Sequence, residues 1–204
     1  MSEVSSGGDC IADIVERVLA SAPSVGPVRL VCVDGPAGSG KTTLAANLSD
    51  VLRPTSGEVP VVHGDDLYEG WAVVAGAPDR VAAFGVFADR VTTWLLDPWS
   101  RGEPGSHPVR DWYADAWGPS VSVPAAPVVI LEGVATASRA LRSRATLVVW
   151  VEVDPDLAIE RVVARDGESM RAEIVSWQRD ETRWHGIDGT RAAADVIVSG
   201  ERPE

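Results

Sequence analysis

The chain has 204 residues, of which 45% are hydrophobic and 24% are charged, and this predicts one globular domain over residues 1–204. Its formal net charge of −12 repels nucleic acid polymers, so an anionic ligand must be held by a local positive site. No stretch has the order of a signal peptide or the roughly 18 apolar residues of a membrane span, so we expect a cytoplasmic protein without a membrane partner.

The first predicted element is a helix within residues 1–26. Behind a capping Asp9, apolar residues recur at helical spacing. They are Ile11, Ile14, Val15, Val18 and Leu19. The pattern ends before Pro23, so the helix is expected to lead into the first strand.

Five short, valine-rich segments follow, and each is nearly continuous in apolar character, as strands buried on both faces are. They cover residues 28–34, 59–65, 127–133, 145–154 and 194–200. Helical patterns lie between them, at residues 41–52, 79–96, 156–165 and 170–184. Strands that alternate with helices form parallel sheets covered on both faces. We therefore predict an α/β fold with a three-layer, doubly wound, five-stranded parallel sheet.

The segment from about residue 99 to residue 127 interrupts this alternation. Proline, glycine, tryptophan and polar residues are crowded there, which predicts a long, irregular loop or a small insert on the substrate side. Aromatic side chains in and beside it suit a flat base or an apolar metabolite. Trp94 is instead expected in the core, because it lies on the apolar stripe of its helix.

The first strand leads directly into GPAGSGKT, residues 35–42, which matches GxxxxGK[ST] between a strand and a helix. This context predicts a phosphate-binding loop (P-loop), in which backbone N–H groups and the start of a helix surround a phosphate. The residues expected to bind the nucleotide there are Gly35, Ala37, Gly38, Ser39, Gly40, Lys41, Thr42 and Thr43.

Lys41 is the only lysine in the chain. An ammonium group is compact and mobile, and it suits the curl of the loop around a phosphate better than a planar guanidinium does. We therefore expect Lys41 to act as a catalytic residue on the β- and γ-phosphates of ATP. The Thr42 hydroxyl is expected to bind Mg²⁺.

Two carboxylates, Asp65 and Asp66, follow the second strand, at the edge where open α/β sheets bind ligands. A carboxylate there can accept a proton from an attacking hydroxyl, as a kinase requires. The motifs GPAGSGKTT, DDLYEGW, VVILEGV, VEVDPDLAIERVVARD and TRAAADVIVSG resemble those of the uridine kinase-like family of nucleoside and small-metabolite kinases. The resemblance extends over nearly the whole chain from Val28 onward and implies the P-loop NTPase fold.

The resemblance implies a base for the reaction. The family carries an Asp-x-Phe-Tyr element after its second strand, and its aspartate touches Mg²⁺ and acts as base. Asp65 and Tyr68 match this element, with Leu67 in place of the phenylalanine. Asp66 is the alternative base, because the match can shift by one residue.

The resemblance also implies a metal ligand on the third strand, where the family's glutamate matches Glu132. A carboxylate that ends a buried apolar strand is costly unless it is paired or near a metal, which favours the same role. Glu152 and Asp154 are the competing candidates. Asp154 precedes Pro155 and therefore also fits the N-cap of a helix.

Arginines late in the chain resemble the lid that closes over the phosphates in these kinases, here over about residues 161–171. Arg165 and Arg171 are expected to act as catalytic residues that stabilise charge on the transferring phosphoryl group. The alternative is a solvated helix face in which Glu160 and Asp166 pair with the arginines.

Two further arginines are assigned to the nucleotide. Arg161 is expected at its phosphates, as part of the lid, or else on the same solvated helix face. Arg191 lies in the loop where the family places the adenine ring, and it is expected to stack there unless it is an ordinary surface arginine.

The acceptor is expected to contact Asp66, Tyr68, Trp71, Asp111 and Trp112. Asp111 and Trp112 match a Tyr-Asp-Phe element that uridine kinases place around the base and ribose. An arginine stands here in the tyrosine's place, and the Thr-His-Ser-Arg run that follows in uridine kinases is absent from this chain. These departures weaken the inference of uridine or cytidine as substrate.

The predicted function is ATP- and Mg²⁺-dependent transfer of the γ-phosphate to a hydroxyl of a small molecule, with a nucleoside as the first choice. A nucleoside monophosphate kinase is the alternative, and it would need arginines for the acceptor's phosphate. Candidates are Arg80, Arg90, Arg101 and Arg110. A non-enzymatic nucleotide-binding regulator is a third hypothesis, and the sequence leaves open whether the chain forms a homo-oligomer.

Overall fold

The computed structural model describes residues 7–69 and 81–201, and within them a parallel sheet forms the centre of the molecule. The strands are β1 (Arg29–Asp34), β2 (Val61–His63), β3 (Gly105–Asp111), β4 (Ala116–Val123), β5 (Val128–Glu132), β6 (Leu147–Glu152) and β7 (Val196–Ser199). The five-stranded sheet has the order β2–β5–β1–β6–β7, with all neighbours parallel. The predicted doubly wound sheet is confirmed.

The helices account for the periodic segments between the strands. They are α1 (Gly7–Ala20), α2 (Lys41–Ser56), α3 (Val81–Val91), α4 (Asp97–Ser100), α5 (Arg139–Arg142), α6 (Pro155–Asp166) and α7 (Arg171–Asp188). A π-helical turn, Thr92–Leu96, joins α3 to α4. In residues 7–69 and 81–201, no helix is long and apolar enough to cross a membrane.

The core forms two layers because successive side chains of a strand point to opposite faces of the sheet. Val31 and Val33 of β1 belong to the layer covered by α1 and α2. Leu30 and Cys32 belong to the layer that contains the buried residues of α3, the π-helical turn and α4. Burying a side chain of this kind contributes roughly 1.5–3 kcal/mol to the stability of the fold. Because helices cover both faces of the sheet, the edge at the carboxyl ends of the strands is the place left for ligands.

The segment at residues 99–127 contains an antiparallel hairpin of β3 and β4, where the sequence indicated an irregular loop or a small insert. The pairing register shifts between Pro108 and Arg110. Trp99 is fully buried beneath the hairpin, and its Nε1 donates a hydrogen bond to the Val123 carbonyl at 3.1 Å.

Trp94, which was expected in the core, is partly buried and packs against the core. It lies in the π-helical turn, and its ring meets Trp117 of β4 edge to face, with centroids 6.1 Å apart. The guanidinium of Arg90 lies 5.6 Å from the centre of the Trp94 ring and 5.3 Å from that of Trp117. The ring therefore joins the margin of the core to the hairpin.

Candidate active site

The loop between β1 and α2 has a backbone that requires glycine. Gly35 and Gly38 have φ angles of 150° and 79°, which L side chains rarely adopt. A Cβ at Gly35 would lie 2.5 Å from the Val151 carbonyl oxygen, and one at Gly38 would lie 2.4 Å from that of Ala158. The loop therefore packs its backbone directly against β6 and α6, which a loop with side chains there could not do.

Asp34, the last residue of β1, fixes the start of this loop. Its Oδ1 accepts hydrogen bonds from the N–H groups of Gly35 at 2.7 Å and Ala135 at 3.1 Å. Its Oδ2 accepts one from the N–H of Ala137 at 2.8 Å. Asp34 was not among the predicted site residues, although it is a carboxylate at the end of an apolar strand, which is a signal in the sequence.

Lys41 begins α2 and is buried. Its Nζ donates a hydrogen bond to the Pro36 carbonyl at 2.8 Å, so the ammonium group spans the loop from the helix to the loop's first turn. Thr43 and Gly40 are exposed beside it, and Ser39 is fully buried. The residues assigned to nucleotide binding in the loop are thus brought together at one helix N-terminus, where an anion is stabilised.

Thr42 and Glu132 meet at the edge of the sheet. The Thr42 hydroxyl donates to Oε1 of Glu132 at 3.1 Å, and Nδ1 of His63 lies 2.7 Å from the same oxygen. The hydrogen bond with Glu132 raises the pKa of His63 above its ordinary value, although burial of the ring opposes this. A hydroxyl and a carboxylate are the oxygen donors that Mg²⁺ prefers.

These donors fit a magnesium ion that is shared with a nucleotide. Among residues 7–69 and 81–201, no group of three or more His, Cys, Asp or Glu side chains could hold a metal ion by itself. Mg²⁺ commonly takes one or two carboxylates, with phosphate oxygens and waters completing its coordination. Thr42, Glu132 and Asp65 are suited to that arrangement and not to a closed protein cage.

Asp65 lies in the 3₁₀ turn Gly64–Leu67, directly after β2. Burial raises the pKa of its carboxyl, and the charges of Lys41 and Arg165 act against this rise, whereas Glu132 and Asp66 add to it. The residue is nevertheless exposed to solvent. The charges of Lys41 and Arg165 thus favour the ionised carboxylate that a base requires.

The structure gives the two neighbours of Asp65 different surroundings. Asp66 is half-buried, and burial raises the pKa of its carboxyl while His63 and His107 lower it. Tyr68 is buried, its hydroxyl donates to the Val134 carbonyl at 2.8 Å, and its ring stacks on Phe87 with centroids 4.8 Å apart. This corrects the assignment of Tyr68 to the acceptor site, because its polar and apolar parts are both occupied by the core.

Trp112 brings the hairpin to the proposed base. Its Nε1 donates to the backbone carbonyl of Asp65 at 3.1 Å. Asp111 instead stabilises the hairpin turn, since its Oδ1 accepts from the N–H groups of Tyr113 at 3.0 Å and Ala114 at 2.9 Å. Asp111 is exposed, and its expected contact with the acceptor stays a prediction beside this structural role. Trp71 lies outside the described residues.

The lid arginines are held in ion pairs, as the alternative interpretation required. Arg165 pairs with Asp166 through Nε at 2.7 Å and Nη2 at 2.8 Å, and it is close enough to Asp65 to affect the pKa of that carboxyl. Arg171 pairs with Glu160 at 2.7 Å and with Glu168 at 2.6 Å. Of the two arginines, only Arg165 is brought into the electrostatic neighbourhood of the proposed base.

Arg161 and Arg191 also have partners within the protein. Nη1 of Arg161 donates to the Gly38 carbonyl at 3.3 Å and to the Gly200 carbonyl at 2.9 Å, so it ties the loop to the end of β7. Nε of Arg191 lies 2.6 Å from Oε2 of Glu152. Glu152 therefore lies in a surface ion pair, which makes it a weaker candidate than Glu132 for the metal ligand.

Two solved structures have a similar fold over nearly their whole lengths. A possible uridine kinase from Bacillus stearothermophilus is 21% identical with a TM-score of 0.68, covering 93% of this chain and 97% of that chain. D-glycerate 3-kinase from Cryptococcus neoformans var. grubii is 15% identical with a TM-score of 0.61, covering 97% and 98%. The chain has the fold of the P-loop kinases. No family model and no curated protein matches its sequence.

Within this P-loop kinase fold, the sequence indicated the role of Asp154 but not that of Glu181. Asp154 caps α6, because its Oδ1 accepts from the N–H groups of Asp156 at 2.9 Å and Leu157 at 3.1 Å, as the following proline indicated. Glu181 was not singled out, yet its Oε2 accepts from the N–H of Ala37 in the P-loop at 3.1 Å. Only the fold brings α7 to the loop, so the sequence offered no local signal for this contact.

Proposed function

We propose that the chain is an ATP-dependent kinase that transfers the γ-phosphate to a hydroxyl of a small molecule. The observation that carries the proposal is the position of Asp65, which follows β2 and lies within electrostatic reach of both Lys41 and Arg165. A carboxylate near two cations, at the carboxyl edge of the sheet, suits proton abstraction beside a phosphate site. A nucleotide-binding regulator would have no need of such a base.

The residues have the following roles in the proposed reaction. The loop amides and Lys41 would hold the β- and γ-phosphates, while Thr42, Glu132 and Asp65 would hold Mg²⁺. When bound, Mg²⁺ would neutralise charge on the phosphate oxygens.

Asp65 accepts the proton of the acceptor hydroxyl as its oxygen forms the new bond to the γ-phosphorus, and the bond to the β-phosphate oxygen breaks to release ADP. Arg165 stabilises charge on the phosphoryl group in transit after it leaves Asp166.

A nucleoside is the acceptor that we propose to test first. Trp112 hydrogen bonds to the backbone of Asp65, so an aromatic side chain lies beside the proposed base. Aromatic rings are suitable surfaces for a flat base. The solved structure from Bacillus stearothermophilus carries the description of a possible uridine kinase, which supports the same choice.

Three of the four arginines on which the nucleoside monophosphate kinase hypothesis depends are held in ion pairs within the protein. Arg90 pairs with Glu69 at 2.7 Å, and Arg101 pairs with Glu103 at 2.9 Å. Arg110 is buried in an ion pair with Asp115. Arg80 lies outside the described residues. A phosphate on the acceptor that binds to Arg90, Arg101 or Arg110 would have to break the ion pair of that arginine.

The test is ADP release from MgATP in the presence of nucleosides, nucleoside monophosphates, sugars and small hydroxy acids. The proposal requires release above the level without acceptor, together with a phosphorylated product identified by mass. Lys41→Ala is the inactive control, because it removes the cation on the phosphates. MgATP hydrolysis that no acceptor stimulates would favour the regulator.

A further inference from the structure

Glu181 is a buried carboxylate that faces the P-loop from α7. Its Oε2 accepts the hydrogen bond from the Ala37 N–H, and its Oε1 has no hydrogen-bond partner within the described part of the chain. His185, one helical turn later, lies with Nε2 3.4 Å from Oδ1 of Asp34, directly before the first residue of the loop. One face of α7 therefore contacts the loop at two points.

The charge of Glu181 is poorly compensated. The residue is 1% exposed, and burial raises the pKa of its carboxyl to about 7, although Lys41, the Ala37 N–H, His185 and Trp177 act to lower it. Lys41 is the largest of these opposing effects. The other titratable groups that face the site are Asp34, which contacts His185, and the Tyr68 hydroxyl.

A triphosphate in the P-loop changes this balance. The cation that favours the Glu181 carboxylate is the one expected to bind the β- and γ-phosphates. Once Lys41 is shared with phosphate, the carboxylate stays buried, has lost part of its compensation and lies near added negative charge. Each of these changes favours the neutral acid.

We propose that Glu181 is a positioning residue of the P-loop that takes up one proton from solvent when MgATP binds. The inference rests on the proposed function, because it requires MgATP in this loop. The proton goes to one carboxyl oxygen, and the other continues to accept the Ala37 N–H, so the loop keeps its anchor in both states. MgATP affinity consequently falls as the pH rises above the range in which the free protein holds this proton.

The test is isothermal titration calorimetry with MgATP at about pH 6.5 and about pH 8.5, in two buffers of different ionisation enthalpy. The wild type should take up a fraction of a proton that approaches one near pH 8, and its Kd should rise about threefold or more across this range. Glu181→Gln keeps an oxygen for the Ala37 N–H and cannot be charged. It should bind MgATP with little dependence on pH and more tightly than the wild type at the higher pH.

Two comparisons separate the contribution of Glu181 to the pH dependence from that of other titrating groups. A hydrogen bond with Glu132 raises the pKa of His63, although burial opposes this, so this ring can also exchange protons with solvent, and ATP itself binds protons; both contributions cancel in the difference between the wild type and Glu181→Gln. Glu173→Gln, which removes a carboxylate from the first turn of the same helix, should keep the wild-type pH dependence.

The outcomes separate this inference from the proposed function. Equal proton uptake by the wild type and Glu181→Gln, with MgATP bound, would overturn the role of Glu181 and leave the kinase proposal intact. Absence of MgATP binding at every pH would overturn both. Weaker binding by Glu181→Gln at the higher pH would also contradict the inference, because it would show that the charge supports the nucleotide.

Discussion

The hydroxyl of Thr42, in the first turn of α2, lies 3.1 Å from Oε1 of Glu132, the last residue of β5. The P-loop helix and the neighbouring strand thus meet through two oxygen donors at the carboxyl edge of the sheet. The sequence separates these residues by 90 positions. Their contact gives the proposed magnesium site a basis in geometry and not only in motif.

Glu132→Gln should raise the Mg²⁺ concentration that half-maximal turnover requires by about 10- to 100-fold, because the amide is a weaker ligand than the carboxylate. The measurement is a Mg²⁺ titration of product formation at saturating ATP. Glu152→Gln is the matched control, since Glu152 ends the strand on the other side of β1 and pairs with Arg191. An unchanged Mg²⁺ requirement in Glu132→Gln would remove Glu132 from the metal site.

Asp65→Asn should lower kcat by about 10²- to 10⁴-fold, the range over which a positioned base contributes. MgATP affinity should change little, because the P-loop amides and Lys41 remain. Single-turnover assays and calorimetry separate the two effects. Asp66→Asn is the control, and a larger loss of kcat there would move the base by one residue.

Arg165→Ala should reduce kcat about 10²-fold or more, because a cation that faces the transferring phosphoryl group acts mainly in the transition state. Arg171→Ala should have an effect at least about tenfold smaller. Its guanidinium is engaged by Glu160 and Glu168 at the surface, where ion pairs contribute little. Steady-state kinetics of both variants measure the two losses of kcat. Equal losses of kcat would restore Arg171 to the catalytic residues that the sequence predicted.

Tyr68→Phe should lower the free energy of unfolding by about 1 kcal/mol, because the buried Val134 carbonyl loses its donor. It should leave kcat within about twofold of the wild type, since the hydroxyl is occupied within the core. Tyr113→Phe is the control, because Tyr113 is fully exposed at the hairpin turn. Urea denaturation measures the free energy of unfolding. A kcat that falls by a large factor in Tyr68→Phe would return this tyrosine to the acceptor site.

These predictions depend on features that the sequence revealed to different extents. The P-loop and the five strands were predictable because glycine spacing and apolar runs are local patterns. The contacts of Glu181 with Ala37 and of Asp34 with the loop after β5 join distant segments, so only the fold brings them together. The hairpin was missed because Pro108 and Gly118 interrupt the alternation that identifies strands.

The burial of Glu181 also predicts how the stability of the nucleotide-free protein depends on pH. Burial raises the pKa of its carboxyl to about 7 in the folded chain, whereas the ordinary value is 4.5. Between these values the unfolded chain releases this proton and the folded chain keeps it, so the stability contributed by this group falls as the pH rises and is lowest above about pH 7. Glu181→Gln removes this dependence. Relative to the wild type, it should therefore gain stability as the pH rises, by at most about 3 kcal/mol.

Urea denaturation of the wild type and Glu181→Gln at about pH 5 and about pH 8 measures this difference. All other titrating groups are common to both proteins, so the change in the difference between the two pH values belongs to Glu181. Glu173→Gln should follow the wild type at both pH values, because it changes the same helix without touching the loop contact. Parallel pH profiles for the wild type and Glu181→Gln would mean that the buried carboxylate is fully compensated in the folded chain. Proton uptake on nucleotide binding would then lose its physical cause, because Glu181 would already be ionised at no cost.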